Sequence, residues 1–211
     1  MPRLLTWYFD VISPYAYLQT GDLHRLPPDT EVVAKPVLFA GLLNHWGQKG
    51  PAEIPAKRLH TYRQCAWMAA ERNLPFRMPP AHPFNPLTAL RLLCALGPTV
   101  EQARIVAHAV FGEGRDPSTA EGLATLGQAL GVDDPAGLAA EDAAKAKLRA
   151  NTDEAIAKAV WGVPTFEVGG ELFWGADSFP MLLDFLASPG LFDSEEMRRH
   201  GELPIGVVRK N

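Results

Sequence analysis

The sequence contains few cysteines and lacks the features of a secreted or membrane-spanning chain. Only two of its 211 residues are cysteine, Cys65 and Cys94, and they form neither a C-x-x-C motif nor a metal-ligand pattern. No apolar run approaches the roughly 20 residues that span a bilayer, and the N-terminus shows no signal-peptide pattern. These absences predict a cytoplasmic protein with reduced thiols and no metal site.

An excess of charge of one sign is also missing. The chain has 20 Lys and Arg against 24 Asp and Glu, a formal net charge of −4. No dense basic run occurs, which argues against nucleic acid or an anionic membrane surface as a partner. The sequence does have apolar residues in quantity, 47% of the total, enough to bury one good core.

The first forty residues predict a strand, a helix and a second strand. Residues 4–9 are apolar on both faces, which is typical of a central strand covered on both sides. Ser13 and Pro14 form a helix start, with Ser as N-cap and Pro at the first helical position, and an apolar stripe continues to Leu26. Residues 30–37 are rich in valine and favour a second strand. This order predicts a parallel pair with a right-handed crossover.

The rest of the chain is first helical and then mixed. Residues 55 to about 161 show helical periodicity, and a hairpin is predicted at Gly169-Gly170. A last helix is predicted to begin near Ser178. The sequence is therefore expected to divide into a βαβ half (1–40), an all-helical insertion (41–160), a ββα half (161–190) and a tail with little periodicity (191–211).

Three short motifs in this order resemble a known family. They are Phe-Asp-Val-Ile-Ser-Pro-Tyr-Ala-Tyr-Leu at 9–18, Trp-Gly-Val-Pro-Thr at 161–165 and Phe-Trp-Gly-Ala-Asp at 173–177. They resemble the opening, the cis-proline loop and the glutathione-binding turn of the 2-hydroxychromene-2-carboxylate isomerases and the kappa-class glutathione transferases. The stretch from Pro36 to Arg58 is also similar to theirs. The resemblance runs from Leu4 to about Leu186 and implies a DsbA-like thioredoxin fold, α/β with an all-helical insertion.

The resemblance implies glutathione as cofactor, with its sulfur held by Ser13. A serine hydroxyl cannot form a disulfide, but it can donate a hydrogen bond to a thiolate and so lower the pKa of the thiol. Redox members of this fold carry a second cysteine where this chain has Ala16, so disulfide chemistry is not expected. The alternative is that Ser13 is only an N-cap.

The other implied glutathione contacts each have a plainer alternative. Val163, before Pro164, would bind the peptide backbone of glutathione, or the pair would form an ordinary turn. Asp177 would bind the γ-glutamyl ammonium group or cap the last helix. Lys57 would face a carboxylate or be a solvated lysine. The full implied set is Ser13, Pro14, Tyr15, Gln48, Lys57, Val163, Pro164, Trp174, Gly175, Ala176 and Asp177.

Six residues are candidates for walls of a substrate site, or for simple loop and core packing. They are Asn44, His45, Trp46, His82, Phe84 and Asn85, of which Asn44, Trp46 and Asn85 are the predicted substrate contacts. An aromatic substrate needs apolar walls and one or two polar groups. The two cysteines are predicted to be small core residues.

The resemblance favours a glutathione-dependent isomerase that acts by reversible thiolate addition to an aromatic conjugated 2-oxo acid. A kappa-like glutathione transferase would use almost the same residues, and a non-catalytic thioredoxin-fold protein that binds peptide or glutathione is the third alternative. The expected partners are glutathione, a small aromatic substrate and, by resemblance, a second copy of the chain.

Overall fold

A four-stranded mixed sheet runs through the centre of the protein, which a computed structural model describes from residue 2 to residue 208. The strands lie in the order β2-β1-β3-β4. β1 pairs with β2 in parallel, whereas β3 is antiparallel to both β1 and β4. The strands are β1 (Arg3–Phe9), β2 (Thr30–Pro36), β3 (Thr165–Val168) and β4 (Glu171–Trp174).

Most of the helices belong to the chain segment that connects β2 to β3. Helix α1 joins β1 to β2, helices α2 to α8 fall between β2 and β3, and α9 follows β4. This arrangement confirms the predicted thioredoxin-like fold with a helical insertion. The helices are α1 (Pro14–Thr20), α2 (Phe39–Trp46), α3 (Pro55–Glu71), α4 (Leu87–Leu96), α5 (Val100–Phe111), α6 (Ala120–Leu130), α7 (Pro135–Ala140), α8 (Asp142–Ala157), α9 (Phe179–Ala187) and α10 (Glu195–Gly201).

Strand β1 is buried on both faces, as its unbroken apolar run predicts. Trp7 and Phe9 stack with their ring centroids 4.4 Å apart in the main core, while Tyr8 belongs to a second cluster with Val37 and Val163. The buried indole nitrogen of Trp7 donates to the side-chain oxygen of Gln19 at 2.7 Å. Because β1 is held from both sides, it fixes the position of the loop that follows it.

Helix α1 is shorter than its apolar stripe predicts. It ends at Thr20, and a 3-10 turn, Leu23–Arg25, covers the rest of the predicted helix. At Gly21 a Cβ would come within 2.6 Å of the Leu74 side chain, so a larger residue there would displace that leucine. Thr20 also donates its hydroxyl to the Tyr17 carbonyl, which competes with continued helix.

The segment after α9 contains more structure than its weak periodicity predicts. A 3-10 turn, Pro189–Phe192, is followed by α10, whose N-cap Ser194 accepts the N–H of Met197 at 3.3 Å. No residue of α10 is buried, so this helix does not need the apolar stripe by which a sequence predicts a helix. The last three residues of the predicted tail, 209–211, lie outside the described residues.

Candidate functional site

A cleft of about 360 Å³ opens where β1 and β2 end. The carboxyl ends of neighbouring parallel strands meet at one edge of a sheet, so the loop after β1 lies beside the start of α2. The cleft is lined by Asp10, Ile12, Ser13, Pro14, Tyr15, Phe39, Ala40, Leu43, Asn44, Gln48, Gly50, Pro51, Ala52, Glu53, Thr61, His82, Pro83, Phe84, Pro86, Val163 and Trp174. We call this cavity the Ser13 cleft. Its lining is mainly apolar and includes neither lysine nor arginine.

Ser13 stands at the junction of the two halves of the fold. It is only 6% exposed, and its Oγ accepts the N–H of Ala16 at 3.3 Å, which makes it the N-cap of α1. The same hydroxyl lies 3.4 Å from the carbonyl oxygen of Val163, to which it donates. The Val163–Pro164 peptide bond is cis. Ser13 is therefore an N-cap, as predicted, and its proton points toward the loop before β3.

Two backbone donors accompany this hydroxyl. Within residues 2–208, neither the N–H of Tyr15 nor the N–H of Val163 has a hydrogen-bond partner, and both residues line the cleft. Backbone N–H groups without a partner at the first turn of a helix suit a negatively charged ligand atom. The lining of the cleft thus includes the Ser13 hydroxyl and two residues whose N–H groups have no partner within residues 2–208.

Asp10 is fully buried beside this group and holds two loops together. Its carboxylate accepts the N–H of Ile12 at 3.0 Å and the N–H of Phe39 at 2.8 Å, linking the β1–α1 loop to the start of α2. Burial raises the pKa of Asp10 to about 7, because the loss of water outweighs the two amide hydrogen bonds that lower it. Sequence reasoning did not select Asp10, although a polar residue directly after a buried parallel strand was a signal for it.

His82 fastens the proline-rich segment over the cleft. Its Nε2 lies 2.8 Å from the carbonyl oxygen of Ile12, so this nitrogen carries the proton, since a carbonyl only accepts. The hydroxyl of Tyr62 lies 2.8 Å from His82 Nδ1 and 2.9 Å from its carbonyl oxygen. Burial lowers the pKa of His82. Of the six candidate wall residues, His82 and Phe84 line the cleft with Asn44.

Half of the implied glutathione and substrate residues meet in the Ser13 cleft. Ser13, Pro14, Tyr15, Asn44, Gln48, Val163 and Trp174 line it. Pro164 stands between Val163 and the start of β3, and Gly175, Ala176 and Asp177 directly follow Trp174, the last residue of β4. Lys57, Trp46 and Asn85 are not among the lining residues.

The three residues outside the lining have other surroundings. The indole nitrogen of Trp46 donates to the Val160 carbonyl at 3.0 Å, which holds the ring against the loop after α8. The side chain of Asn85 accepts the N–H of Leu87 at 3.1 Å and starts α4. Lys57 is exposed in the first turn of α3, and it forms no ion pair with any residue in the described part of the chain.

The turn before α9 carries Asp177, whose side chain has no hydrogen-bond or ion-pair partner within residues 2–208. Gly175 has φ of +90°, and a Cβ there would lie 2.4 Å from the Asp177 carboxylate. Its N–H donates to the Pro164 carbonyl at 2.8 Å, which ties the turn to the loop beside Ser13. Neither Asp177 nor Ser178 caps α9 with its side chain. Burial raises the pKa of Tyr15, the nearby Cys65 raises it further, and the Asp177 carboxylate adds a smaller increase in the same direction.

The cleft has no thiol of its own. Cys65 and Cys94 are both buried and free, and burial raises the pKa of each thiol to about 12, which makes them poor nucleophiles. Position 16, where a second redox cysteine would stand, is Ala16. Across residues 2–208 no group of three His, Cys, Asp or Glu side chains is placed to hold a metal, and no helix there is long and apolar enough to cross a membrane.

Comparisons with known proteins agree with this architecture. A family model described as a DSBA-like thioredoxin domain matches residues 5–187. Glutathione S-transferase kappa 2 of Caenorhabditis elegans is 30% identical over 209 residues, covering 89% of this chain and 93% of that protein. The 2-hydroxychromene-2-carboxylate isomerase of Pseudomonas sp. (strain C18) is 27% identical over 186 residues, covering 85% and 88%.

Solved structures show the same fold. A crystallised 2-hydroxychromene-2-carboxylate isomerase superposes with a TM-score of 0.76 at 22% identity, covering 96% of this chain and all of that one. The cytosolic disulfide reductase DsbM from Pseudomonas aeruginosa with GSH superposes with a TM-score of 0.58 at 16% identity, covering 94% and 97%.

Proposed function

The chain belongs to the DSBA-like thioredoxin domain family, and from this premise we propose that it is a glutathione-dependent isomerase of the 2-hydroxychromene-2-carboxylate type. Its substrate would be an aromatic conjugated 2-oxo acid. The single observation that carries the proposal is the group of donors around Ser13: one hydroxyl and the unpartnered N–H groups of Tyr15 and Val163, in a cleft without a thiol. Such a site is suited to a thiolate that arrives with a bound cofactor.

The residues around Ser13 fit the parts of glutathione. The backbone of Val163 can pair with a peptide unit, as the edge of a strand does. The unpartnered carboxylate of Asp177 suits the γ-glutamyl ammonium group, and Gln48 offers an amide at the far wall. We assign Pro14, Pro164, Trp174, Gly175 and Ala176 the shaping of this surface, and Lys57 a longer-range attraction for a carboxylate.

The chain's own task in this mechanism is to keep a sulfur ionised and to hold the substrate over it. When bound, glutathione supplies a thiolate whose reversible addition to a conjugated carbon allows the substrate to isomerise. Ser13 would donate a hydrogen bond to the sulfur, in place of the bond to Val163, and the Tyr15 N–H would offer a second donor. Phe39, Leu43 and Phe84 supply apolar walls, and Asn44 a polar group, for the substrate. Trp46 and Asn85 would reach it only if α2 and the proline-rich segment move.

Calorimetric titration with reduced glutathione tests the proposal. At pH 7.5 in two buffers of different ionisation enthalpy, the wild type is expected to bind with release of a proton. Ser13→Ala is expected to bind with less release, because the thiol is then less acidic. Isomerisation of a chromene carboxylate is measured next. Absence of binding at millimolar glutathione contradicts both glutathione-enzyme functions and favours a thioredoxin-fold peptide-binding protein.

A kappa-like glutathione transferase is the second candidate. The observation in its favour is that the kappa relative is 30% identical, against 27% for the isomerase relatives. The two activities differ in the fate of the thiol, which an isomerase returns and a transferase consumes. Counting free glutathione with a thiol reagent after many turnovers separates them.

We further propose that the protein acts as a homodimer, as the resemblance implies. Light scattering during gel filtration is expected to give twice the chain mass of 23.0 kDa. A mass of one chain at micromolar concentration contradicts this proposal without affecting the glutathione site.

A further inference from the structure

A second cavity lies between helices α4 and α8, separate from the Ser13 cleft in all of its lining residues. It measures about 520 Å³. Leu87 on α4, Leu148 on α8 and Leu38 at the start of α2 form its apolar part. We call it the α4–α8 groove. Nothing in the proposed isomerase mechanism uses it.

Arg91 lines this groove and has no ion-pair partner among residues 2–208. It stands one turn after Leu87 on α4, so both side chains face the same side of the helix. Its Nε atom is shielded from solvent and makes no hydrogen bond, and the guanidinium forms no ion pair with any of residues 2–208. A buried donor without an acceptor costs free energy, and a guanidinium fork matches two oxygens of a carboxylate or phosphate.

Two more cations line the groove from the opposite helix. Lys145 and Arg149 are four residues apart on α8 and both border the cavity. Arg149 forms no ion pair within the described residues. Lys145 has only Asp142, 2.9 Å away and 99% exposed, as a partner, and such a surface pair is weak. Asp153 is the acid on this lining, and no cation lies within ion-pair distance of it in the described range.

We propose that the α4–α8 groove binds a small organic anion, with an oxyanion headgroup held by Arg91, Arg149 and Lys145 and an apolar body packed on Leu38, Leu87 and Leu148. The headgroup is a carboxylate or a phosphate monoester, since both present oxygens in the geometry of the guanidinium fork. The apolar floor distinguishes this ligand from a bare inorganic anion. The proposal does not depend on the glutathione chemistry of the Ser13 cleft.

The test is calorimetric titration of the full chain with four probes: 4-phenylbutyrate, phenyl phosphate, inorganic phosphate and benzyl alcohol. One of the first two is expected to bind with a dissociation constant below 1 mM, roughly the range of small pocket ligands. The last two are expected to bind at least tenfold more weakly, because each lacks one half of the ligand. The better of the first two probes identifies the headgroup.

Variants place the binding in the groove. Arg91→Met keeps an apolar stem that reaches about as far as the arginine Nε and removes the guanidinium fork, and at least a tenfold loss of affinity is expected. Arg149→Met, at an exposed position of α8, provides a second variant whose folding is less at risk, and a loss of threefold or more is expected. Arg104→Met, at an exposed arginine paired with Glu101 on α5, is the matched control and is expected to keep the wild-type affinity.

Three results would overturn the proposal. The first is that neither organic anion binds at millimolar concentration. The second is that Arg91→Met and Arg149→Met, shown to be folded by circular dichroism, both bind as tightly as Arg104→Met, which would place the probe elsewhere, for instance in the Ser13 cleft. The third is that inorganic phosphate binds as tightly as phenyl phosphate, which would leave only a bare anion patch.

Discussion

The Ser13 cleft and the α4–α8 groove are two cavities of one chain with opposite construction. The cleft is assembled from loops at strand ends and joins Ser13 to Val163, 150 residues away. Its polar groups are a hydroxyl, backbone amides, uncharged side chains and two acids, and its lining includes neither lysine nor arginine. The groove is formed by two helix faces, and its charged groups are three cations and one acid. Backbone geometry therefore shapes one site, whereas side-chain charge shapes the other.

The largest effect that tests this contrast is expected for Ser13→Ala. Loss of the hydroxyl removes one donor to the sulfur, and turnover with glutathione is expected to fall roughly 10- to 1,000-fold while the fold is kept. The measurement is kcat/KM for isomerisation at saturating glutathione. An unchanged rate would show that the Ser13 hydroxyl has no role in the mechanism.

Ser194→Ala provides the matched control for Ser13→Ala. Both serines cap a helix by accepting an N–H at 3.3 Å, and loss of such a cap costs about 1 kcal/mol. Ser194 lies on α10, far along the chain and outside the lining of the cleft. Its variant is expected to keep full turnover, so a shared loss of activity would indicate a capping effect alone.

The next largest effect is expected for Asp10→Asn and concerns stability. Burial raises the pKa of Asp10 from 3.8 to about 7, so between these pH values the folded protein keeps a proton that the unfolded chain releases. This contribution to stability is complete below pH 3.8 and is lost as pH rises toward 7. At about 1.4 kcal/mol for each pKa unit, it amounts to roughly 4 kcal/mol.

Urea unfolding of the wild type and of Asp10→Asn between pH 4.5 and 8 measures how the free energy of unfolding of each depends on pH. The variant is expected to be less stable at low pH, with a difference that narrows as pH rises. Asp116→Asn gives the baseline for the substitution, because Asp116 also accepts the N–H two residues ahead, that of Ser118 at 2.9 Å, but lies closer to solvent. A difference that stays constant between pH 4.5 and 8 would show that Asp10 is charged in the folded protein near pH 5.

Ser13 and Asp10 show how much of the fold and of the site the sequence predicts. Ser13 was identifiable because Ser-Pro at a helix start is a local signal, and Gly169-Gly170 marked its hairpin for the same reason. Asp10 was missed because its importance comes from Phe39 N–H, which the fold brings to it. A sequence predicts local features such as helix starts and hairpin turns, whereas it does not predict contacts between loops that are distant in the chain.

The direction in which a side chain points is the second feature that the sequence does not predict. Trp46 and Asn85 are close in sequence to residues that line the cleft, but their own polar atoms form hydrogen bonds with Val160 and Leu87. Helix α1 ends at Thr20, whose hydroxyl donates to the Tyr17 carbonyl, although the apolar stripe continues to Leu26. A periodic stripe indicates which residues are apolar, and it does not show where side-chain hydrogen bonds compete with the helix.

A smaller effect is expected for Tyr62→Phe, which loosens the roof of the cleft. The hydroxyl of Tyr62 lies within hydrogen-bond distance of His82 Nδ1 and of the His82 carbonyl oxygen and donates to one of them at a time. Its loss is expected to cost about 1 to 2 kcal/mol of stability and to raise the KM for substrate more than it lowers kcat. Tyr8→Phe is the matched control, because it loses the bond to Glu154 at 2.8 Å outside the cleft. Equal KM in both variants would contradict a role of this roof in substrate binding.

The smallest effect is expected for Ser13→Cys, which should gain no insulin reductase activity. A dithiol exchange needs a resolving thiol, position 16 is alanine, and burial raises the pKa of Cys65 and Cys94 to about 12. The double variant Ser13→Cys/Ala16→Cys restores the C-x-x-C spacing and serves as the positive control. Efficient reduction by the single variant would show that another thiol reaches the cleft.

The 150-residue separation between Ser13 and Val163 has a consequence for how the protein is made. β1 pairs with β3 only after the whole helical insertion has been synthesised, so the edge of β1 that faces β3 stays open for most of translation. Closing so long a loop slows folding more than it lowers stability. Occupancy of the Ser13 cleft by glutathione would thus stabilise the chain only at the last stage of folding, when its N-terminal and C-terminal parts have joined.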